Sequence, residues 1–285
     1  MSNLAGRTWF ITGTSAGFGK AIAREVLSRG GNVVASARSI EGVRDIVAIA
    51  PERVLATTLD VTHPDEIAVS VAAAIQRFGA IDALVNNAGY GFLSAVEEAT
   101  EDEVRRQFDV NFFGLAAMTR AVLPHMRAAR SGTVINISST AASRGSPGVA
   151  YYGASKRAVE ALSESLAREA GALGIKVLIV APGPFRTDFS GRSISKPSHP
   201  IPAYEAAMQM RTYSDALDGT QAGDPVRAAR LIVDTALAPE APLRLLLGAQ
   251  AYTGVMDAMR ERMADFEHSK TLAPLADYPP EELRR

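Results

Sequence analysis

Short apolar runs rich in β-branched residues alternate along the chain with segments whose apolar positions recur every three or four residues. Residues 8–12, Thr-Trp-Phe-Ile-Thr, read as a strand. Residues 17–29 read as a helix, because Ile22, Val26 and Leu27 fall on one face. Strands follow at 32–37 and 53–59, then a helix at 65–78, where Ile67, Val71 and Ile75 are spaced four apart. A strand at 81–85 runs into Asn86-Asn87-Ala88-Gly89. A long helical pattern covers about 101–128, with a kink expected at Pro124. A fifth strand at 132–138, a helix at 151–170, a sixth strand at 176–181 and a seventh at 243–247 complete the pattern.

Strands alternating with crossover helices predict an α/β fold with a parallel seven-stranded sheet and helices on both faces. The continuous apolar run Val177-Leu178-Ile179-Val180 fits a strand buried on both sides. With no repeat and no linker, residues 1–285 read as a single domain. Two regions interrupt the rhythm. Residues 187–202 are rich in Ser, Pro and Gly and follow the carboxyl end of a strand, where long loops tend to carry function. A substrate lid is therefore expected at about 187–222, mobile over 190–210, with Tyr204, Met208 and Met210 suited to a non-polar ligand. From about Ser269, Pro274, Pro279 and Pro280 mark an extended tail.

Composition narrows the partners. Lys plus Arg is 30 and Asp plus Glu is 31, which gives no electrostatic reason to expect nucleic acid or an anionic membrane. There is no cysteine, so disulfide and thiolate chemistry are excluded. His63, His125, His199 and His268 show no H-x-x-x-H pairing, and no metal site is expected. The first residues lack the pattern of a secretory leader, and no run of about 18 apolar residues occurs. A soluble cytoplasmic enzyme acting on a small molecule is the expectation.

Gly13, Gly17 and Gly19, with Ser15 and Phe18 between them, lie between the first strand and the first helix. Gly13 allows a tight turn, Gly17 a close backbone approach to a pyrophosphate, and Gly19 close packing of the helix on the sheet. The spacing is G-x-x-x-G-x-G. A P-loop is the rival, since Gly19-Lys20 resembles its end. But Thr14 stands where its first glycine belongs, and Ala21 replaces its Ser/Thr. A dinucleotide is the better ligand.

Tyr152 and Lys156 stand at i and i+4, on one helix face. A nearby cation favours the phenolate, so this spacing predicts a Tyr152 able to exchange protons near neutral pH. Tyr151 competes for the role, but its i+4 residue is Ser155. Ser138 and Ser139 end the fifth strand, where a hydroxyl can donate to a carbonyl oxygen as charge develops. Asn111 sits inside a helical pattern, where asparagine has poor propensity, and is a candidate functional group. Singly, each has a bland alternative: a helix surface, a strand-end cap, an ordinary helix residue.

Together these residues resemble the short-chain dehydrogenase/reductase family. The carriers are Thr12-Gly13-x-x-x-Gly17-x-Gly19, Asp60-Val61, Asn86-Asn87-Ala88-Gly89, Asn111, Ser139, Tyr152-x-x-x-Lys156, and Pro182-Gly183 with Thr187, in order over about residues 6 to 190. The resemblance implies a Rossmann-like domain with strand order 3-2-1-4-5-6-7 and a homodimer or homotetramer. It implies an NAD(P)-dependent oxidoreductase interconverting alcohol and carbonyl. Tyr152 would be the general acid/base and Ser139 would polarise the carbonyl. Lys156 would hold the nicotinamide ribose and lower the Tyr152 pKa, and Asn111 would keep a water in a proton relay. Asp60 would contact adenine, with Val61 beside it; Asn87, Ala88 and Gly89 would line the adenosine side; Thr187 would bind the carboxamide, near Pro182 and Gly183. Ser36-Ala37-Arg38, with Asp224-Pro225 and the run Leu243 to Gly248, is similar to bacterial relatives of 17β-hydroxysteroid dehydrogenases.

The cofactor expected is NADP(H), with NAD(H) as the second choice. Ala37 stands where an acidic residue would accept from the ribose of NAD, and Arg38 can pair with a phosphate. Two other readings stand beside this one. A catalytically silent dinucleotide-binding regulator would be expected to lose Tyr152 or Lys156, and both are present. A sugar-nucleotide epimerase or dehydratase would carry a larger C-terminal domain than the residues beyond Ser190 can supply.

Overall fold

The computed structural model describes residues 3–279. Seven strands pair in parallel: β1 (Thr8–Thr12), β2 (Asn32–Ala37), β3 (Val54–Thr58), β4 (Ala83–Asn86), β6 (Gly132–Ile137), β7 (Ile175–Pro182) and β9 (Arg244–Leu247). Their order across the sheet is β3-β2-β1-β4-β6-β7-β9, which is the expected 3-2-1-4-5-6-7 when only sheet strands are counted.

The two-residue period of the strands distributes their side chains. Trp9, Ile11, Val85, Ile135 and Val180 join a core beneath α1 (Gly17–Ser28), α2 (Arg44–Val47) and α8 (Pro225–Leu237). Phe10, Val34, Leu84, Val134 and Val177 point the other way, beneath α3 (Pro64–Phe78), α5 (Leu115–Ala129) and α6 (Ala150–Ala170). Phe10, Ile11 and Leu84 are wholly buried, each contributing about 2 kcal/mol of apolar transfer. Both faces of the sheet are therefore largely apolar, and β7 reads as an almost continuous apolar run, while β2 and β6 carry the buried polar side chains of Ser36 and Asn136.

The long helical pattern is not one regular helix. α4 (Glu101–Phe108) opens on a capping box between Thr100 and Glu103. It passes into a wider π-helical turn over Asp109–Gly114 before α5 begins. Pro124 lies inside α5, and an irregularity not expected from the pattern lies earlier, around Asn111. Two contacts account for it. Asn111 reaches out to the backbone of Tyr90. Gly114 lies so close to the β3–α3 connection that a Cβ there would come 2.6 Å from Val61 Cγ2.

A second, two-stranded parallel ladder pairs β5 (Gly91–Phe92) with β8 (Ile194–Ser195). It joins the segment after Asn86-Asn87-Ala88-Gly89 to the long insertion, which continues into α7 (Glu205–Leu217). α9 (Ala249–His268) ends the regular structure, with a short helical turn at Ala273–Ala276. The last residues of the expected tail, Pro280 onward, lie outside the described residues. Among those described, no helix is long and apolar enough to cross a membrane, and no cluster of metal-ligating side chains forms.

Candidate active site

The carboxyl ends of β1, β2, β4, β6 and β7 open into one cavity of about 1030 Å³, roofed by residues from the insertion. Every candidate site residue lines it except Gly19 and Asn111. Those two stand behind the wall and shape it.

On one side the glycine loop turns from β1 into α1. Gly13 (φ 70°) and Gly17 (φ 54°) adopt the left-handed backbone that a side chain disfavours. A Cβ on Gly19 would lie 2.4 Å from the Gly13 carbonyl oxygen and 2.5 Å from Asn87 Nδ2. α1 carries no side-chain cap at Ala16 and no acidic residue in its first turn, so its N–H groups and positive end are open to an anion. The loop is tied to its neighbours by polar side chains. Thr12 Oγ1 donates to Val85 O at 3.3 Å and accepts from the N–H groups of Asn87 and Ala88, both at 3.0 Å. Asn87 Nδ2 donates to Thr12 O and Gly13 O, both at 2.9 Å, and Thr14 Oγ1 donates to Ser36 O at 3.1 Å. The cradle fits a pyrophosphate.

At the end of β2, Ala37 is buried and Arg38 is exposed beside the cavity. Asp60 accepts from Thr62 N at 2.9 Å and Thr62 Oγ1 at 2.7 Å. Burial pushes its carboxyl up, but these two bonds and the charges of His63 and Arg38 outweigh that and hold it below its ordinary value.

Opposite, α6 presents Tyr152 and Lys156 to the cavity, both buried. Lys156 Nζ donates to Ile137 O at 2.8 Å, and burial pushes its pKa down to about 8. Tyr152 is pushed up to about 12 by burial, opposed by a hydrogen bond with Ser139. The lowering of the phenol by Lys156 implied by the resemblance is not what dominates here; desolvation is. Ser139 also accepts from Ala141 N at 3.2 Å, so it caps its turn as well as facing the phenol. Tyr151 is directed elsewhere: its hydroxyl donates to Val96 O at 3.1 Å, and it does not line the cavity.

Asn111 is fully buried. Its Oδ1 accepts from Tyr90 N at 3.0 Å, and its Nδ2 donates to Tyr90 O at 2.9 Å and Ser155 Oγ at 3.2 Å. Gln107, one turn earlier, donates to the same Tyr90 oxygen at 3.0 Å. The side chain of Asn111 thus fastens the strand that leaves Gly89. Gly183 donates to Leu247 O at 3.0 Å, and Thr187 sits over Gly17, 3.5 Å from where a Cβ would be.

Several residues that shape the cavity carried no recognisable signal. The Phe189 ring stands 5.7 Å from that of Tyr152, and Phe185 packs at 5.1 Å on Phe18. Phe92, Leu93, Ile194 and Leu217 add apolar wall. Of the three insertion residues expected at the ligand, Met210 lines the cavity. Tyr204 and Met208 lie outside it, 37% and 48% exposed. Helical geometry explains part of the split: Met210, Tyr213, Ser214 and Leu217 lie toward the cavity on one side of α7, Met208 points away, and Tyr204 precedes the helix as its N-cap.

The short chain dehydrogenase family model matches residues 7–197, and the chain belongs to that family of NAD(P)-dependent oxidoreductases. Oxidoreductase BOA17 of Botryotinia fuckeliana is 36% identical over 249 residues, spanning 86% of this chain and 90% of that one. A short-chain dehydrogenase from Streptomyces avermitilis, known from its crystal structure, superposes with a TM-score of 0.89. It is 40% identical, over 95% of this chain and all of that one. A metagenomic short-chain oxidoreductase crystallised with NADP superposes with a TM-score of 0.69. Its identity is 27%, covering 86% of this chain and 98% of its own.

Proposed function

We propose that this protein transfers a hydride between NADP(H), in preference to NAD(H), and the carbonyl carbon of a non-polar ketone or the corresponding secondary alcohol. The observation that carries the reading is the convergence of Tyr152, Lys156 and Ser139 on the cavity that the glycine loop opens into.

The cofactor supplies or takes up the hydride. Tyr152 gives its phenolic proton to the carbonyl oxygen in reduction and takes it back in oxidation. Ser139 steadies the oxygen as negative charge develops. Lys156 holds the nicotinamide ribose. Its charge favours the phenolate once both groups face the same ligand. Asn111 holds the Tyr90 segment, and with it the floor beside Lys156, where the relay water would sit. The open N-terminus of α1 takes the pyrophosphate. Asp60 and Val61 flank the adenine, Asn87, Ala88 and Gly89 line the adenosine, and Thr187 meets the carboxamide. Arg38, exposed next to a small Ala37, pairs with a ribose phosphate. Phe92, Leu93, Phe189, Ile194, Met210 and Leu217 favour a non-polar substrate.

The test is consumption of NADPH and of NADH against a panel of ketones, with cofactor affinity measured in parallel. Turnover of hydrophobic ketones, faster with NADPH, supports the reading. Tight cofactor binding without turnover of any carbonyl compound would favour the silent dinucleotide-binding regulator instead.

A further inference from the structure

Besides the β5–β8 ladder, a buried ion pair fastens the insertion that roofs the cavity to the body. Glu98 lies between β5 and α4, and its side chain has no solvent exposure; that of Arg211, on α7, has 10%. Arg211 Nη1 donates to Glu98 Oε2 at 2.6 Å, and Nη2 donates to Oε1 at 3.1 Å. Each carboxylate oxygen accepts a further bond, Oε2 from Ala95 N at 2.7 Å and Oε1 from Ile201 N at 2.9 Å. A single carboxylate thus joins its own loop, the chain leading into α7, and α7 itself. Neither residue lines the cavity, but Met210 and Ser214, beside Arg211 on α7, do.

We propose that Glu98 is a positioning residue: it latches the lid through Arg211, fixes which face of α7 walls the substrate end, and so sets how large a carbonyl compound the site accepts. This rests on the oxidoreductase reading above. Separating a buried carboxylate from its guanidinium leaves both uncompensated, so lid positions that break the pair are strongly disfavoured. Arg211 also holds the Glu98 carboxyl far below its ordinary value, at about 2, so the latch stays charged at neutral pH. Among the other links of the insertion to the body, those from Ser198 N to Glu103 at 3.0 Å and from the Tyr204 hydroxyl to Glu97 are exposed and therefore weaker.

The experiment compares wild type, Glu98→Gln and Arg211→Lys. It measures kcat and KM for butanone and decanone, cofactor affinity, and amide exchange of residues 193–202. For Glu98→Gln the expected change in the decanone-to-butanone KM ratio is roughly tenfold or more, with kcat within about threefold. Cofactor affinity should hold within about twofold. Exchange over 193–202 should accelerate. Arg211→Lys keeps the charge and should show a smaller change of the same sign; should Glu98→Gln fail to fold, this variant decides. An unchanged KM ratio, or an equal loss for both ketones together with weaker cofactor binding, would overturn the proposal. If wild type reduces neither ketone, the oxidoreductase reading fails on its own. The latch is then decided by exchange: acceleration supports it, unchanged protection overturns it.

Discussion

The two ends of the cavity are built by different means. The glycine-loop end is made of backbone and short side chains at adjoining strand ends, where Thr12, Thr14 and Asn87 bond to main-chain groups of neighbouring strands. The lid end is made of a two-residue ladder and side chains from distant parts of the sequence. Residues 91 and 194 pair, and Glu98 meets Arg211. The first kind of site is nearly rigid, because moving it means breaking the sheet. The second can be altered by changing one or two side chains. On the function proposed above, the first end holds the cofactor and the second sets substrate choice.

The sharpest way to break this division is at Tyr152, where the two ends meet. Tyr152→Phe keeps the ring but removes the proton, and kcat should fall by roughly 10²- to 10⁴-fold with cofactor affinity nearly intact. Tyr151→Phe should leave kcat close to normal, since its hydroxyl serves Val96 O. Near-normal turnover in the first variant and loss in the second would reverse the assignment.

Next in size is Gly19→Ala. Its Cβ would press on the Gly13 oxygen, and the strain falls on the phosphate cradle. Overpacking of about 1–3 kcal/mol should raise the cofactor Kd by roughly ten- to a hundredfold. Calorimetric titration measures this. A Kd equal to wild type would mean that the cradle yields easily, against the rigidity claimed for that end.

Arg38→Ala should act more gently. Loss of one exposed charge-assisted contact, about 1 to 1.5 kcal/mol, predicts a fall of about tenfold in kcat/KM for NADPH and none for NADH. Equal losses with both cofactors would show that Arg38 does not read the ribose phosphate.

A further effect concerns stability in acid. The Glu98 carboxyl is depressed by Arg211 from 4.5 to about 2 in the folded state. Its stabilising ionisation is complete above the ordinary value of 4.5 and is lost as pH falls through about 2. The stability difference between wild type and Glu98→Gln, followed by denaturant unfolding, should therefore shrink as pH drops through that window. A gap independent of pH would argue that the carboxylate's charge is not what fastens the lid.

Much of the glycine loop and of the Tyr152–Lys156 arrangement was legible in the chain, because their determinants are local. A glycine at positive φ, a Tyr and a Lys one turn apart, and a polar pair closing a strand each announce themselves within a few residues. The strand runs were legible for the same reason, since burial on both faces writes a continuous apolar stretch into the sequence. The π-turn at Asn111 was not. The sequence around it satisfies a helical pattern, and the turn exists because Asn111 bonds to Tyr90, 21 positions earlier. Nor could α7 be oriented from its composition. Tyr204, Met208 and Met210 look equally suited to an apolar ligand, and only the packed helix turns Met210 inward.

The sequence by itself determined the alternating fold, the phosphate cradle and the pairing of Tyr152 with Lys156, since these depend on spacing along one element. Tertiary structure alone decided that burial governs the Tyr152 and Lys156 pKa values and that Phe189 lies against the phenol. It also decided that Glu98 and Arg211, 113 positions apart, meet as a buried ion pair. Desolvation and long-range pairing depend on which surfaces come together in space, and no short-range pattern records that.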